Sequence, residues 1–230
     1  MDSRIIWIAS GEGERADIRR VFPKARVRLS PEQSVYAGEP LVYRQPTVPT
    51  RFLFLGRLTP LKGLRETIEI LRHVTSPAHL TVAGNAEDGA YLRDVKQLAE
   101  LLPAHVSVTW LGHASSSELP DLIRSHDALV SPTHGENFGH AIAECLALGR
   151  PVFVTDSTPW SSAGEAGGVI LIDRTRPRAC AKQIDKFSSA PASSRLELQR
   201  RAHVTGRKGL DFGESLDTIL HSLQLTRVNL

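Results

Sequence analysis

The stretch Ala128–Thr155, ALVSPTHGENFGHAIAECLALGRPVFVT, decides how the chain folds. It opens with an apolar run, Ala128–Ser131, of the kind that forms a strand buried on both faces. A loop punctuated by Gly135 and Gly139 leads into a helical pattern from about His140 to Leu148. Gly149 ends that pattern, and Pro151 prevents its continuation. A second apolar run, Pro151–Thr155, closes the unit. Strand, helix and strand in this order form a crossover that joins two parallel strands. Two carboxylates stand out within it. Glu136 lies in the glycine-flanked turn, and Glu144, eight positions on, is the only charge in AIAECLALG.

The same alternation extends on both sides. Further candidate strands are Ile5–Ala9, Arg51–Leu55, Leu80–Ala83, Val106–Leu111 and Val169–Ile172. Helical spacing appears over Leu64–Val74 and Tyr91–Leu102. A third helix, Ser116–Ser125, begins with serines suited to an N-cap, although Pro120 falls early in it. The pattern predicts an α/β fold with a doubly wound parallel sheet over residues 51–190. Ser30–Thr50 holds Pro31, Pro40, Pro46 and Pro49 without a helical period, and reads as a hinge. Before it, residues 1–29 suffice for one strand, one helix and a short further strand, too little for a core. Residues 191–230 form a helical tail ending in the pattern Leu216, Ile219, Leu220, Leu223.

Composition narrows the function. There are 28 Lys and Arg against 25 Asp and Glu, a net charge of +3. The cations are scattered and aromatics do not interleave with them, which argues against a nucleic-acid partner. Mild basicity suits an anionic small ligand or an acidic lipid surface. Cys145 and Cys180 give neither a disulfide framework nor a metal-binding spacing, so a reducing compartment is expected. No apolar run approaches the ~20 residues that span a bilayer. IIWIAS is too short for a signal peptide and acidic residues follow it. The expectation is a cytoplasmic protein, with a peripheral membrane location compatible.

In an open parallel sheet, ligands bind beyond the carboxyl ends of the strands. GRLTPLKG follows one strand, and puts Arg57 and Lys62 in one loop beside Gly56. It lacks the order of a P-loop. A guanidinium and an ammonium suit phosphate oxygens, and two solvated surface cations are the competing reading. The helix start at Gly139 presents free N–H groups and a positive dipole end, a natural diphosphate site. Side chains on a helix lean toward its N-terminus, so Glu144 can reach back to where a ribose would lie. The competing reading pairs Glu144 with Arg57, Lys62 or another cation.

Other constellations are weaker. His134, Glu136 and His140 match no standard zinc spacing, so no metal is expected. GEGERA, Gly11–Ala16, fits a dinucleotide fingerprint, but Glu12 and Glu14 would repel a pyrophosphate, so it reads as a strand–helix turn. Asp156 and Trp160 suit a ligand contact, or a capping and a packing role, equally well.

GRLTPLKG, the loop near Gly84, WLGH and SPTHGENFGHAIAECLALGRPVFVTDSTPW together resemble the C-terminal, donor-binding domain of the retaining group 1 (family 4) glycosyltransferases. That family has two facing Rossmann-like domains, the GT-B architecture. The resemblance covers roughly residues 50–175, and rests most on the two glutamates with the N-F-G turn and G-x-P-V. It implies a nucleotide-diphosphate-sugar donor and a sugar or lipid-linked acceptor, with no cofactor. Arg57 and Lys62 would neutralise the diphosphate in place of a metal. Glu136 would bind sugar hydroxyls, and Glu144 the ribose. Asn137, Phe138, Gly139 and His140 would line the sugar and diphosphate. Gly84 and Leu111–His113, which includes Gly112, would flank the base. Asn137 stands where the family most often has glycine. The usual chain is about twice as long, so this one reads as half an enzyme, a fragment, or a protein that borrows its other half. A non-catalytic donor-binding module working with a separate N-terminal-type subunit is the alternative.

Overall fold

The computed structural model describes residues 5–30, 32, 34–210 and 218–221. Among them the order is β1 (Ile6–Ala9), α1 (Glu12–Val21), β2 (Arg26–Leu29), β3 (Thr50–Leu55), α2 (Leu64–Leu71), β4 (Ala78–Ala83), α3 (Gly89–Ala99) and β5 (Val106–Gly112). There follow α4 (Leu119–Arg124), β6 (Ala128–Ser131), α5 (His140–Ala147), β7 (Val152–Val154), β8 (Val169–Leu171), α6 (Pro177–Ser188) and α7 (Ala192–Lys208). The chain divides into two compact units, Met1–Gln33 with Gly209–Leu230, and Ser34–Lys208.

In the first unit, α1 carries the chain from β1 to β2, which pair in parallel from Ile6↔Arg26 to Ala9↔Leu29. Trp7 stacks on Phe22 at 5.1 Å. In GEGERA, Glu14 folds its carboxylate back onto the Ser10 N–H and hydroxyl, both at 2.8 Å. The loop is thereby a strand–helix turn closed by its own acid. Ile219 is buried, whereas Leu216 and Leu223 of the tail pattern lie outside the described residues.

In the second unit the strand order is β5-β4-β3-β6-β7-β8, all parallel. The chain thus starts at the centre, winds outward through β4 and β5, then returns to the centre at β6 and winds the other way. That is the doubly wound order expected of a Rossmann-like sheet. Phe52, Phe54, Leu80, Val82, Val130 and Phe153 from one sheet face share a core with Ile68 of α2, Val95 of α3, and Ile184 and Phe187 of α6. Leu53, Leu129 and Val152, the alternate strand positions, are equally buried, so both faces are covered.

Three local findings differ from the sequence reading. First, no serine caps α4. The helix starts at Leu119, and Glu118 accepts from the Ser115 N–H at 2.8 Å and from its hydroxyl. The early Pro120 is tolerated because the first turn needs no N–H there. Second, α6 is a full helix with Pro177 at its start. Third, the proline-rich segment before β3 carries no helix among its described residues, yet side chains tie it down firmly. Gln199 of α7 accepts from the Arg44 N–H at 2.8 Å and donates to its carbonyl at 2.7 Å. Arg150, fully buried, donates to the carbonyls of Val42 and Arg124 at 3.1 and 3.0 Å. Asp127, also buried, lies 2.9 Å from Arg195 and 3.3 Å from Arg44. Partners 155 positions apart cannot be seen in a local pattern. No described helix is long and apolar enough to cross a membrane.

Candidate active site

The strand order reverses between β3 and β6, the switch point at which open α/β sheets bind ligands beyond the carboxyl ends of their strands. The loops that follow these two strands are GRLTPLKG and PTHGENFGH. They are fastened to each other: the Leu61 carbonyl accepts from the His134 N–H at 2.8 Å and the Thr133 hydroxyl at 3.1 Å. The Glu136 N–H reaches the Ser157 carbonyl at 3.1 Å, which adds the loop after β7. This backbone frame fixes where the side chains project.

At its centre, Lys62 donates to both carboxylate oxygens of Glu136 at 2.8 Å. The side chains are only 21% and 13% exposed, so the pair is partly shielded and geometrically well formed. Arg57, on the same loop, instead pairs with Glu87 at 2.9 Å in an exposed bridge. Such a bridge is weak, and leaves the guanidinium easy to recruit. Neither cation is simply solvated.

Gly139 heads α5 with φ 83° and ψ 63°, and no side chain caps the helix. A Cβ there would stand 3.1 Å from Ile142 and 3.6 Å from both Glu136 and Trp160. Only glycine meets both the backbone angle and the space. Phe138 is buried between His140 and Trp160, with ring centroids at 5.0 and 5.6 Å. Trp160 is buried too, and donates its indole N–H to the Phe138 carbonyl at 2.6 Å. These aromatics hold the turn from within, while Asn137 and His140 are exposed above it. Trp160 therefore packs, and Asp156 stays on the surface.

Glu144 is half-buried, and its carboxylate makes no hydrogen bond or ion pair with the described residues. Burial raises its carboxyl pKa, with the His140 charge opposing. Arg57 and Lys62 are both engaged elsewhere, so Glu144 is not their partner. Tyr36 lies near it and was not marked by the sequence. Its hydroxyl donates to the Ser116 carbonyl at 3.2 Å, and burial followed by the Glu144 charge raises its pKa. Tyr36 sits in the proline-rich segment, where no local pattern announces a tertiary contact.

Three glycines end three adjacent strands. The Gly84 N–H reaches the Gly112 carbonyl at 2.7 Å, and the Gly56 N–H reaches the Ala83 carbonyl at 3.1 Å. A Cβ on Gly84 would fall 1.8 Å from the Gly56 carbonyl oxygen. The rim is therefore bare backbone at β3, β4 and β5, followed by the exposed His113. The histidines and Glu136 do not gather. His134 turns to Glu66 at 2.6 Å, and no group of three His, Cys, Asp or Glu among the described residues could hold a metal ion. Cys145 is fully enclosed, and burial pushes its thiol pKa up, far from a nucleophile. Two cavities of about 410 and 430 Å³ lie away from this rim, against α6.

Comparison with known proteins bears on this arrangement. A glycogen synthase of Mycobacterium tuberculosis is 28% identical over 176 residues, which is 74% of this chain and 40% of that protein. A D-inositol 3-phosphate glycosyltransferase of Rhodococcus erythropolis is 28% identical over 238 residues, 99% of this chain and 50% of that protein. The chain thus spans half or less of the length of these relatives. HepE of Anabaena, solved with UDP and glucose, superposes with a TM-score of 0.72 at 17% identity, over 97% of this chain and 63% of that one. The fold is that of GT-B glycosyltransferase structures. Residues 42–208, which carry every loop of the β3–β6 rim, match the family described as glycosyl transferases group 1, and the chain belongs to that family.

Proposed function

We propose that the β3–β6 rim binds a nucleotide-diphosphate-sugar and that the chain supplies the donor half of a retaining glycosyltransferase of the hexosyltransferase type. The observation that carries this is the partly shielded Lys62–Glu136 pair at the switch point, next to the open helix start at Gly139. Cleavage of the sugar–diphosphate bond builds negative charge on the departing diphosphate. Lys62, Arg57 released from Glu87, and the N–H groups of α5 stabilise it without a metal ion. Glu136, once Lys62 turns to phosphate, accepts from sugar hydroxyls and orients the oxocarbenium-like centre. Glu144 takes the ribose diol. Gly84, Gly112 and His113 leave room for the base, and Asn137, His140 and the backbone of Phe138 border the sugar. The acceptor is a sugar or a lipid-linked acceptor, and the reaction takes place in the cytoplasm.

The test is a thermal-shift and calorimetry panel of UDP-, GDP-, ADP- and dTDP-sugars, followed by transfer assays. Arg57→Ala and Glu136→Ala should each lower transfer on the order of 10²–10³-fold. Near-normal turnover in both variants, or no binding of any nucleoside diphosphate, overturns the reading. In a second reading the chain binds the donor without transferring the sugar by itself, and a separate polypeptide brings the acceptor. Turnover by the purified chain, with and without that partner, separates the two.

A further inference from the structure

The chain's excess charge is concentrated in one place. Residues 172–186 hold five cations, Arg174, Arg176, Arg178, Lys182 and Lys186, and two acids, Asp173 and Asp185. Taking these five from 28 and these two from 25 leaves 23 of each sign elsewhere, so this segment accounts for the whole net charge of +3.

Two acids cannot balance five cations, and both are held by hydrogen bonds, although the Asp173 carboxylate also feels the Arg174 and Arg176 charges. The Asp173 carboxylate accepts from the Thr175 N–H at 3.0 Å and its hydroxyl at 2.6 Å. Asp185 accepts from the Thr75 N–H at 3.0 Å, the Thr75 hydroxyl at 2.8 Å and the Ser76 N–H at 2.8 Å. Among the described residues, none of the five cations has an ion-pair partner. Elsewhere some exposed arginines are paired, as Arg20 is with Asp17, Arg72 with Glu69, and Arg200 with Glu197, while others, such as Arg19, Arg65 and Arg93, stand singly without an ion-pair partner among the described residues. Five like charges against two counter-charges repel on balance, so the net charge of the cluster opposes folding.

The cluster also has a shape. A cavity of about 430 Å³ is lined by His73, just beyond α2, and by Arg176, Pro177, Arg178, Ala179 and Lys182 of the first turns of α6. At the start of α6 Pro177 has no N–H, and the Ala179 and Cys180 N–H groups donate to the Arg176 carbonyl at 2.9 and 3.1 Å. Three permanent cations and an imidazole therefore line one space, which shares no residue with the β3–β6 rim. We propose that this cavity is a second anion site, which takes the phosphate ester of a ligand other than the nucleotide donor. The ester is carried by a lipid headgroup or by a soluble polyol phosphate.

The test uses the full chain. Cosedimentation with phosphatidylglycerol-containing vesicles, against phosphatidylcholine vesicles, reads the lipid source. Titration calorimetry with glycerol 3-phosphate reads the soluble one. The variant Arg176→Gln/Arg178→Gln/Lys182→Gln is compared with a charge-matched one, Arg19→Gln/Lys24→Gln/Arg93→Gln, altered at exposed positions elsewhere. If the source is lipid, binding to anionic vesicles falls about fivefold per cation removed, about 100-fold for the first triple, and much less for the second. If it is soluble, a saturable heat with glycerol 3-phosphate is lost in the first triple alone. No binding in either arm, or equal weakening by both triples, overturns the proposal. Nucleotide-sugar binding measured in parallel should be unchanged in both triples, which keeps this site's failure distinct from that of the rim.

Discussion

Burial holds the Glu144 carboxyl above its ordinary pKa of 4.5, and the nearby His140 charge offsets this only in part. The folded chain therefore binds this proton more tightly than the unfolded chain does. The associated stability is present below pH 4.5 and is lost as pH rises through the raised folded value. Above that value the charged Glu144 carboxylate costs stability, which the His140 charge offsets only in part. Glu144→Gln should raise the melting temperature at pH 7, with the gain vanishing near pH 4, while nucleoside diphosphate binding weakens. Melts at the two pH values and calorimetry check this, and an unchanged or lower melting temperature at pH 7 refutes it. Glu144 was legible in the sequence because a lone charge in an apolar helix contradicts its surroundings. The partner of Lys62 was not, because 74 positions and two interlocked loops separate Lys62 from Glu136. Arg57 was legible as a loop cation, but its bridge to Glu87 depends on how the loops after β3 and β4 come together.

At the scale of elements, the ends of β3, β4 and β5 approach each other so closely that side chains are excluded. Gly84→Ala would place a Cβ 1.8 Å from the Gly56 carbonyl oxygen, at a φ of 146°. Overpacking of this kind typically costs about 1–3 kcal/mol. The backbone that must yield is the one that launches Arg57, so nucleotide binding should fall along with stability. Urea melts and donor titrations of the variant test this, and a variant with native stability and affinity would show that the strand ends are not rigid. The central strands were legible because both faces are buried and their apolar runs are unbroken. Helix α6 was harder. Its buried positions Cys180, Ala181, Ile184 and Phe187 follow the helical period, but two are small, and Pro177 resembles a breaker when it is in fact a helix start. The serines before α4 misled because a cap needs a hydroxyl aimed at the helix, and here Ser115 is held by Glu118 instead.

At the scale of the whole molecule, acid stability should report on His126. Its Nδ1–H donates to the Leu122 carbonyl at 2.7 Å, and its Nε2 accepts from the Thr81 hydroxyl at 2.8 Å. This ties the end of α4 to β4 with a neutral imidazole. Burial pushes its pKa from 6.5 down to about 4. The unfolded chain takes up this proton first, so stability is full above pH 6.5 and is lost as pH falls toward about 4, by up to about 3 kcal/mol. His126→Gln should flatten that limb of the stability–pH curve in denaturant titrations, and an unchanged slope between the two values would exclude His126 as its source. The sequence reading treats residues before β3 as a hinge, whereas Arg44, Val42 and Tyr36 are bonded into the Ser34–Lys208 unit. Proline spacing reports local backbone preference and is silent about such distant partners.

If the β3–β6 rim takes the proposed donor, the mutual pairing of Lys62 and Glu136 would make it a coincidence detector. A molecule that carries only an anion draws Lys62 away and strands a shielded carboxylate, and one that carries only hydroxyls strands the ammonium. Each loses much of what it gains, because an abandoned charge-assisted hydrogen bond costs about 1.5–3 kcal/mol. An occupant that presents an anion and hydroxyls together satisfies both halves at once. Discrimination against either fragment alone would then follow from the pairing of two side chains with each other.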